Sequence, residues 1–212
     1  MSDVVVVERK FIEDSMVKNE ISKYLEKNLS RAGFSRVEIQ KTPVITRITA
    51  YVTKPGRVIG RGGQTIDALT QDIKQKFHID NPQISVAEVK NELLEPRLVA
   101  RHIVGALERG AGARGLLHSM LRNVVEAGAL GVEIIASGKL AAKGAKARTM
   151  KVRFGYLPKA GDTVKLVQTA HVAAYPKYGA IGVTVSIVLP GTKFPDREMK
   201  KVELPKAIEA AK

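Results

Sequence analysis

Cysteine and tryptophan are absent from this 212-residue chain, and aromatic residues make up only 5% of it. Without a thiol there is no disulfide framework, thiolate nucleophile, iron–sulfur cluster or thiolate zinc site. No apolar run approaches the ~18 residues that cross a bilayer. The run Val4–Val7 is short and is followed by Glu8, Glu13 and Asp14, which does not suit a secretory leader. Acidic residues are scarce: 21 Asp and Glu stand against 35 Lys and Arg, a formal net charge of +14. That excess points to a polyanionic partner, nucleic acid ahead of an anionic membrane surface. What remains is the balance of a folded globule, 44% hydrophobic and 26% charged, long enough for one large core or two small ones. A soluble intracellular protein is expected.

The lack of acid is sharpest from Ile134 through Gly161, where there is none, while Lys139, Lys143, Lys146, Arg148, Lys151, Arg153 and Lys159 all fall inside. Such blocks repel themselves unless a partner neutralises them, whereas a solvated face interleaves acids with bases. Small residues from Leu140 to Ala147 suggest a flexible hairpin tip. On the strand after it, Lys151 and Arg153 alternate with Met150, Val152 and Phe154, so the charges share one outer face. If all seven met phosphates, log affinity would fall against log salt with a slope of roughly −5, at about 0.7 per contact on a single strand.

A different signal lies at Val58-Ile59-Gly60-Arg61-Gly62-Gly63-Gln64-Thr65-Ile66, where a glycine bend opens into an amphipathic helix. Helix starts carry unpaired N–H groups and the positive end of the macrodipole, so they attract phosphate. Glycines at 60, 62 and 63 let a sugar-phosphate strand approach the main chain. Arg61 at the tip and Arg57 beside it add permanent charge, and Gln64 opens the helix. A dinucleotide fingerprint would need a third glycine where Thr65 stands, and a nucleotide P-loop would need Gly-Lys-Ser/Thr; neither occurs. A plain structural turn is the alternative, although tight turns seldom use so many permissive residues. Val58, Ile59 and Ile66 are expected to form core and groove floor together.

Around this bend the periodicities alternate. A helix is predicted over 16–32, capped by Ser15 or Asp14 and closed by Gly33, with Val17, Ile21, Leu25 and Leu29 on one face. Strands are predicted at Ser35–Gln40, Val44–Val52 and Gln83–Ala87, with Ile66, Leu69, Ile73 and Phe77 carrying a helix between the last two. Near 89–95 the pattern stops. Pro96 then starts a helix bearing Val99, Ile103 and Leu107, and a second follows with Leu116, Leu117, Met120, Leu121, Val124 and Val125. Period-two runs complete the chain at Val132–Ser137, Thr149–Gly155, Thr163–Ala173 and Ile181–Leu189. Two helices and four strands make a two-layer α/β domain. The expected organisation is α+β throughout, with domains at 1–90 and 91–190 and a mobile tail at 191–212.

No active site is legible. His78, His102, His118 and His171 are far apart, and none pairs at a helical metal-ligand spacing. Asp67 and Asp72 form no acid/base pair, and Ser137 and Ser186 lack a nucleophile-elbow context. No catalytic residue and no metal ligand is assigned.

The αββααβ order with Val58-Ile59-Gly60-Arg61-Gly62-Gly63 resembles a type II KH domain, whose Gly-x-x-Gly loop clamps about four nucleotides of single-stranded RNA. Downstream, Ala127-Gly128-Ala129-Leu130-Gly131-Val132-Glu133, Ala136-Ser137-Gly138-Lys139-Leu140 and Ala145-Lys146-Ala147-Arg148-Thr149-Met150-Lys151 resemble the family of small ribosomal subunit protein three, in its archaeal–eukaryotic branch. Gly179-Ala180-Ile181-Gly182-Val183 and Leu189-Pro190-Gly191 are similar to its closing strand. The resemblance implies a cytoplasmic, ribosome-bound structural protein of the small-subunit head. Its partners would be small-subunit ribosomal RNA, messenger RNA in the channel through which it enters, and neighbouring small-subunit proteins. It implies no cofactor, small-molecule substrate or membrane. By the same resemblance Gly60–Gly63 meets RNA, and Lys139, Lys143, Lys146, Arg148, Lys151 and Arg153 lie against ribosomal RNA. Arg114 matches a basic position linked to opening messenger duplexes, while Gly115 and His118 replace others, so any such role rests on Arg114 and Arg122. The alternatives are a free-standing KH regulator of transcription or RNA turnover, which a second Gly-x-x-Gly bend would favour, and a nuclease or lyase, which would show turnover.

Overall fold

The computed structural model describes residues 2–42, 45–77, 79, 81–140, 146–177 and 179–195. It divides into two compact units, Met1–Lys90 and Asn91–Lys212.

The first unit runs α1 (Ser2–Asn28), β1 (Phe34–Lys41), β2 (Thr46–Val52), α2 (Pro55–Ile59), α3 (Gln64–Phe77) and β3 (Pro82–Glu88). Its three strands lie in the order β1-β2-β3, with β1 antiparallel to β2 and β2 parallel to β3. A parallel pair cannot be joined by a hairpin, so the chain must cross over between β2 and β3. That crossover is α2, the glycine loop and α3. Ile21, Leu25 and Leu29 from α1, Ile48, Ala50 and Val52 from β2, and Leu69 and Ile73 from α3 close one core. The first helix departs from expectation. It begins at Ser2 rather than near 16 and yields after Asn28 to a 3-10 turn, Ser30–Ala32, ahead of Gly33. Ser15 and Asp14 therefore lie inside it: the Ser15 hydroxyl donates to the Phe11 carbonyl at 2.8 Å, and Asp14 accepts from Lys41 at 2.7 Å. Pro43 and Val44, placed near the start of the second strand from sequence, lie outside the described residues, as does His78.

The second unit has α4 (Pro96–Glu108) and α5 (Ala113–Glu126) followed by β4 (Gly131–Gly138), β5 (Arg148–Gly155), β6 (Val167–Ala174) and β7 (Ile181–Val188). The sheet order is β5-β4-β7-β6, antiparallel throughout. Pro96 occupies the first turn of α4, where its missing N–H costs nothing. Val99, Ile103 and Leu107 of α4 and Leu117, Met120 and Val124 of α5 cover one sheet face through Val132, Ile134, Ala136, Val183 and Val185. Two expectations change here. The strand predicted from Thr163 begins only at Val167, because Asp162–Leu166 forms a 3-10 turn opened by Gly161. Residues 191–195 are not a loose tail: Phe194 is buried, with its ring edge-on to Tyr156 at 5.2 Å. The rest of the tail, 196–212, lies outside the described residues.

Candidate nucleic-acid interface

The glycine loop joins α2 to α3 through a tight 3-10 turn at Arg61–Gly63. Gly60 has φ 74° and ψ −173°, and a Cβ there would lie 2.1 Å from Thr65 Oγ1, so no side chain fits. Gly62 differs. Its φ of 62° needs a residue that tolerates the left-handed region, but nothing lies within 4 Å of where its Cβ would be. The outer lip of the loop is thus open, and Arg61 and Gln64 are exposed on it. The first-turn N–H groups of α3 face this lip, with Asp67 in the same turn offsetting their partial charge.

Beside the loop, a groove of about 690 Å³ runs between α3 and β3. Ile66 and Ile84 give it an apolar floor, and Arg47, Thr49, Gln83 and Ser85 supply polar walls. As β3 is an edge strand, its outer main-chain donors and acceptors have no sheet partner and can meet the edge of a base. Bases stacked on the apolar floor with phosphates at the loop is the arrangement these walls suit. Val58 is fully buried and belongs to the core rather than the floor, whereas Ile59 is exposed. Arg47 and the β3 edge were invisible in sequence, because only the pairing of β2 with β3 sets Arg47 beside Gln83 at that edge. Arg57 is not on this side. Its guanidinium donates to the Arg31 carbonyl at 2.9 Å, across the crossover from the groove.

In the second unit the cations lie on the sheet face turned away from α4 and α5. Register aligns Arg153 with Glu133, Ser186 and Thr169, and Lys151 with Ile135, Thr184 and His171. The alternation of Lys151 and Arg153 with Val152 holds: the cations are exposed and Val152 is buried. The absence of neighbouring acid does not hold in space. Glu133, one residue before the acid-free stretch, is only 7% exposed. Its Oε1 accepts from Lys151 at 2.6 Å and Lys159 at 3.2 Å. Burial pushes the Glu133 carboxyl up, but the hydrogen bonds from Lys151 and Lys159 outweigh it and hold the group below its usual range. The Glu133 carboxylate in turn raises Lys151. The single Glu133 carboxylate offsets one of the two lysine charges, so the seven cations count as six and the expected slope falls to about −4.2. Lys139, Lys146, Arg148 and Arg153 are exposed. Lys143 lies outside the described residues. Arg114 is exposed in the first turn of α5, beside exposed Gly115 and on the same helix as exposed His118, while Arg122 is half-buried.

Among the described residues no group of three His, Asp or Glu is disposed to hold a metal ion, and no helix is long and apolar enough to cross a membrane.

Comparison with known proteins covers both units. A KH domain family model matches residues 20–94, and a model described as the C-terminal domain of ribosomal protein S3 matches residues 103–187. The small ribosomal subunit protein uS3 of Methanoregula boonei is 40% identical over 213 residues, spanning 98% of this chain and 91% of that protein. The protein of the same name from Methanothrix thermoacetophila is 42% identical over 193 residues, 91% of this chain and 69% of its own length. That of Methanococcus maripaludis strain C5 is 41% identical over 192 residues, 90% of each chain.

Proposed function

Because the chain belongs to the uS3 family of small ribosomal subunit proteins, structural and non-enzymatic components of the ribosome, we propose that it works by direct grip on RNA. The Gly60–Gly63 loop and the groove beside it take a single-stranded segment, and the exposed cations of the second unit lie against folded ribosomal RNA. The observation that carries this reading is the loop. Its glycines leave the main chain bare where helix-start N–H groups and Arg61 converge, and a groove with an apolar floor continues from it. Messenger RNA in the channel where it enters the small subunit is the strand such a sequence-tolerant clamp suits, since phosphates and stacked bases carry no fixed code. Neighbouring small-subunit proteins complete the set of partners, and the assembled particle in the cytoplasm is the working location. Arg114 favours the same reading. A cation in the first turn of a helix opposes the macrodipole, so helix stability does not account for it and an anionic partner does.

The test is a short-RNA titration of the full chain carrying Arg61→Asp with Gly62→Asp. Affinity should fall by about 10-fold or more while thermal unfolding stays close to that of the parent. Equal affinity in a folded variant would remove the loop from RNA binding.

A further inference from the structure

On the side of α3 turned toward α1 lies a second groove of about 580 Å³, with Tyr24, Asn28, Arg31, Arg57, Thr65 and Asp72 on its walls. We infer that this groove holds a second RNA segment by its sugar-phosphate backbone, separate from the strand at the glycine loop. Arg57 spends one N–H on the Arg31 carbonyl at 2.9 Å, which fixes its guanidinium on the wall with its other donors available to a phosphate. Arg31 is exposed, and no carboxylate pairs with it among the described residues. Both arginines thus line one groove with donors that phosphate oxygens can meet.

The opposite wall sets the class of ligand. Tyr24 donates its hydroxyl to Asp72 Oδ2 at 2.7 Å, and Lys76 donates to the Tyr24 oxygen at 3.2 Å while its ammonium stands 4.4 Å over the tyrosine ring. This chain holds the Asp72 carboxylate in place. A fixed carboxylate repels a bare phosphate but accepts a hydrogen bond from a hydroxyl, and the ribose 2′-OH is the donor that RNA has and DNA lacks. Phosphate on the arginine wall and 2′-OH on the aspartate wall select an RNA backbone over DNA and over free phosphate.

The groove uses residues distinct from the loop, so the two can be separated in one experiment. In full-length chain with the loop disabled by Arg61→Asp and Gly62→Asp, backbone amide shifts of Asn28, Arg31 and Asp72 are followed by NMR. Three probes are titrated: a single-stranded RNA tetranucleotide, the DNA of the same sequence and inorganic phosphate. Saturable shifts with RNA are expected, about 10-fold weaker binding with DNA, and none with phosphate at the same concentration. Adding Arg31→Ala should weaken the RNA effect at least about five-fold without altering thermal unfolding, because that side chain is exposed; adding Arg57→Ala as well should abolish it. Absence of shifts with RNA, equal response to DNA or phosphate, or persistence after Arg31→Ala would each overturn the proposal. An RNA response at this groove in the loop-disabled chain is independent of whether the loop itself binds.

Discussion

Arg61 at the tip of the glycine loop and Arg47 on the wall of its groove are exposed, with no carboxylate paired to them among the described residues. In the second unit Lys151 and Lys159, also solvent-facing, converge on buried Glu133. Both regions are basic in sequence, yet the second commits part of its charge internally while Arg61 and Arg47 of the first are paired with no carboxylate among the described residues. Net charge thus overstates the capacity of a surface for phosphate wherever a strand partner contributes an acid at the right register. The glycine loop also brings main-chain donors, which Asp67 offsets in part but whose position is fixed by the backbone. Recognition in the first unit is accordingly built on geometry, and in the second on the cations left over after internal pairing.

The largest effect should come from removing that geometry. Gly60→Val forces a side chain into Thr65 at a positive φ, and should cost about 2 kcal/mol or more of stability by denaturant titration together with most short-RNA affinity. The same change at Gly62 meets open space and should cost only about 1–2 kcal/mol. Equal losses at both sites would mean that the Thr65 contact is not what fixes the bend.

Glu133→Gln sharpens the contrast from the other side. Removing the one carboxylate that offsets Lys151 and Lys159 should steepen the salt slope for RNA by roughly 0.7, and loss of the ionic contacts should lower stability near neutral pH by about 1 kcal/mol. Because its folded pKa is depressed, the Glu133 carboxylate contributes above its unfolded pKa of about 4.3 and loses that contribution as pH falls through the lower folded value. Lys151, raised by the same contact, contributes below its unfolded pKa of about 10.4 and loses it as pH rises through the higher folded value. The variant should flatten the stability profile at both ends. An unchanged acid limb in thermal melts would contradict the assignment.

Neutralising Lys143, Lys146 and Arg148 together should reduce incorporation into small subunits and shallow the salt slope by roughly 2, with little change in unfolding temperature. Normal assembly of that variant would leave those cations as solvated surface. The smallest effect, and one of opposite signs, is expected for Arg114→Glu. Reversing the charge in the first turn of α5 should stabilise the helix by about 0.3–1 kcal/mol while weakening RNA binding. Loss of both stability and binding would show that Arg114 holds the fold instead.

Much of this was legible because it is local. The glycine bend, Pro96 at a helix start and the alternation of Ile181, Val183 and Val185 each declare themselves within a few residues. The start of α1 was not legible: Val4–Val7 is β-branched and intrinsically poor helix, so local preference does not announce the element found there. What escaped in the candidate sites was long-range. Arg57 immediately precedes the core residue Val58, and spacing alone does not reveal that it turns to Arg31 rather than toward the loop groove. Glu133 shares strand parity with Ile135 and Ser137, but only the β4–β5 register brings it beside Lys151, while Lys159 reaches it from the segment after β5. Arg47 entered the groove for the same reason, through the pairing of β2 with β3.

The most direct measurement is ultraviolet crosslinking of the chain assembled into small ribosomal subunits, with RNA-bearing peptides mapped by mass spectrometry. The account predicts crosslinks within residues 57–66 and 146–153. Crosslinked peptides confined to other segments, with both of these bare, would contradict it.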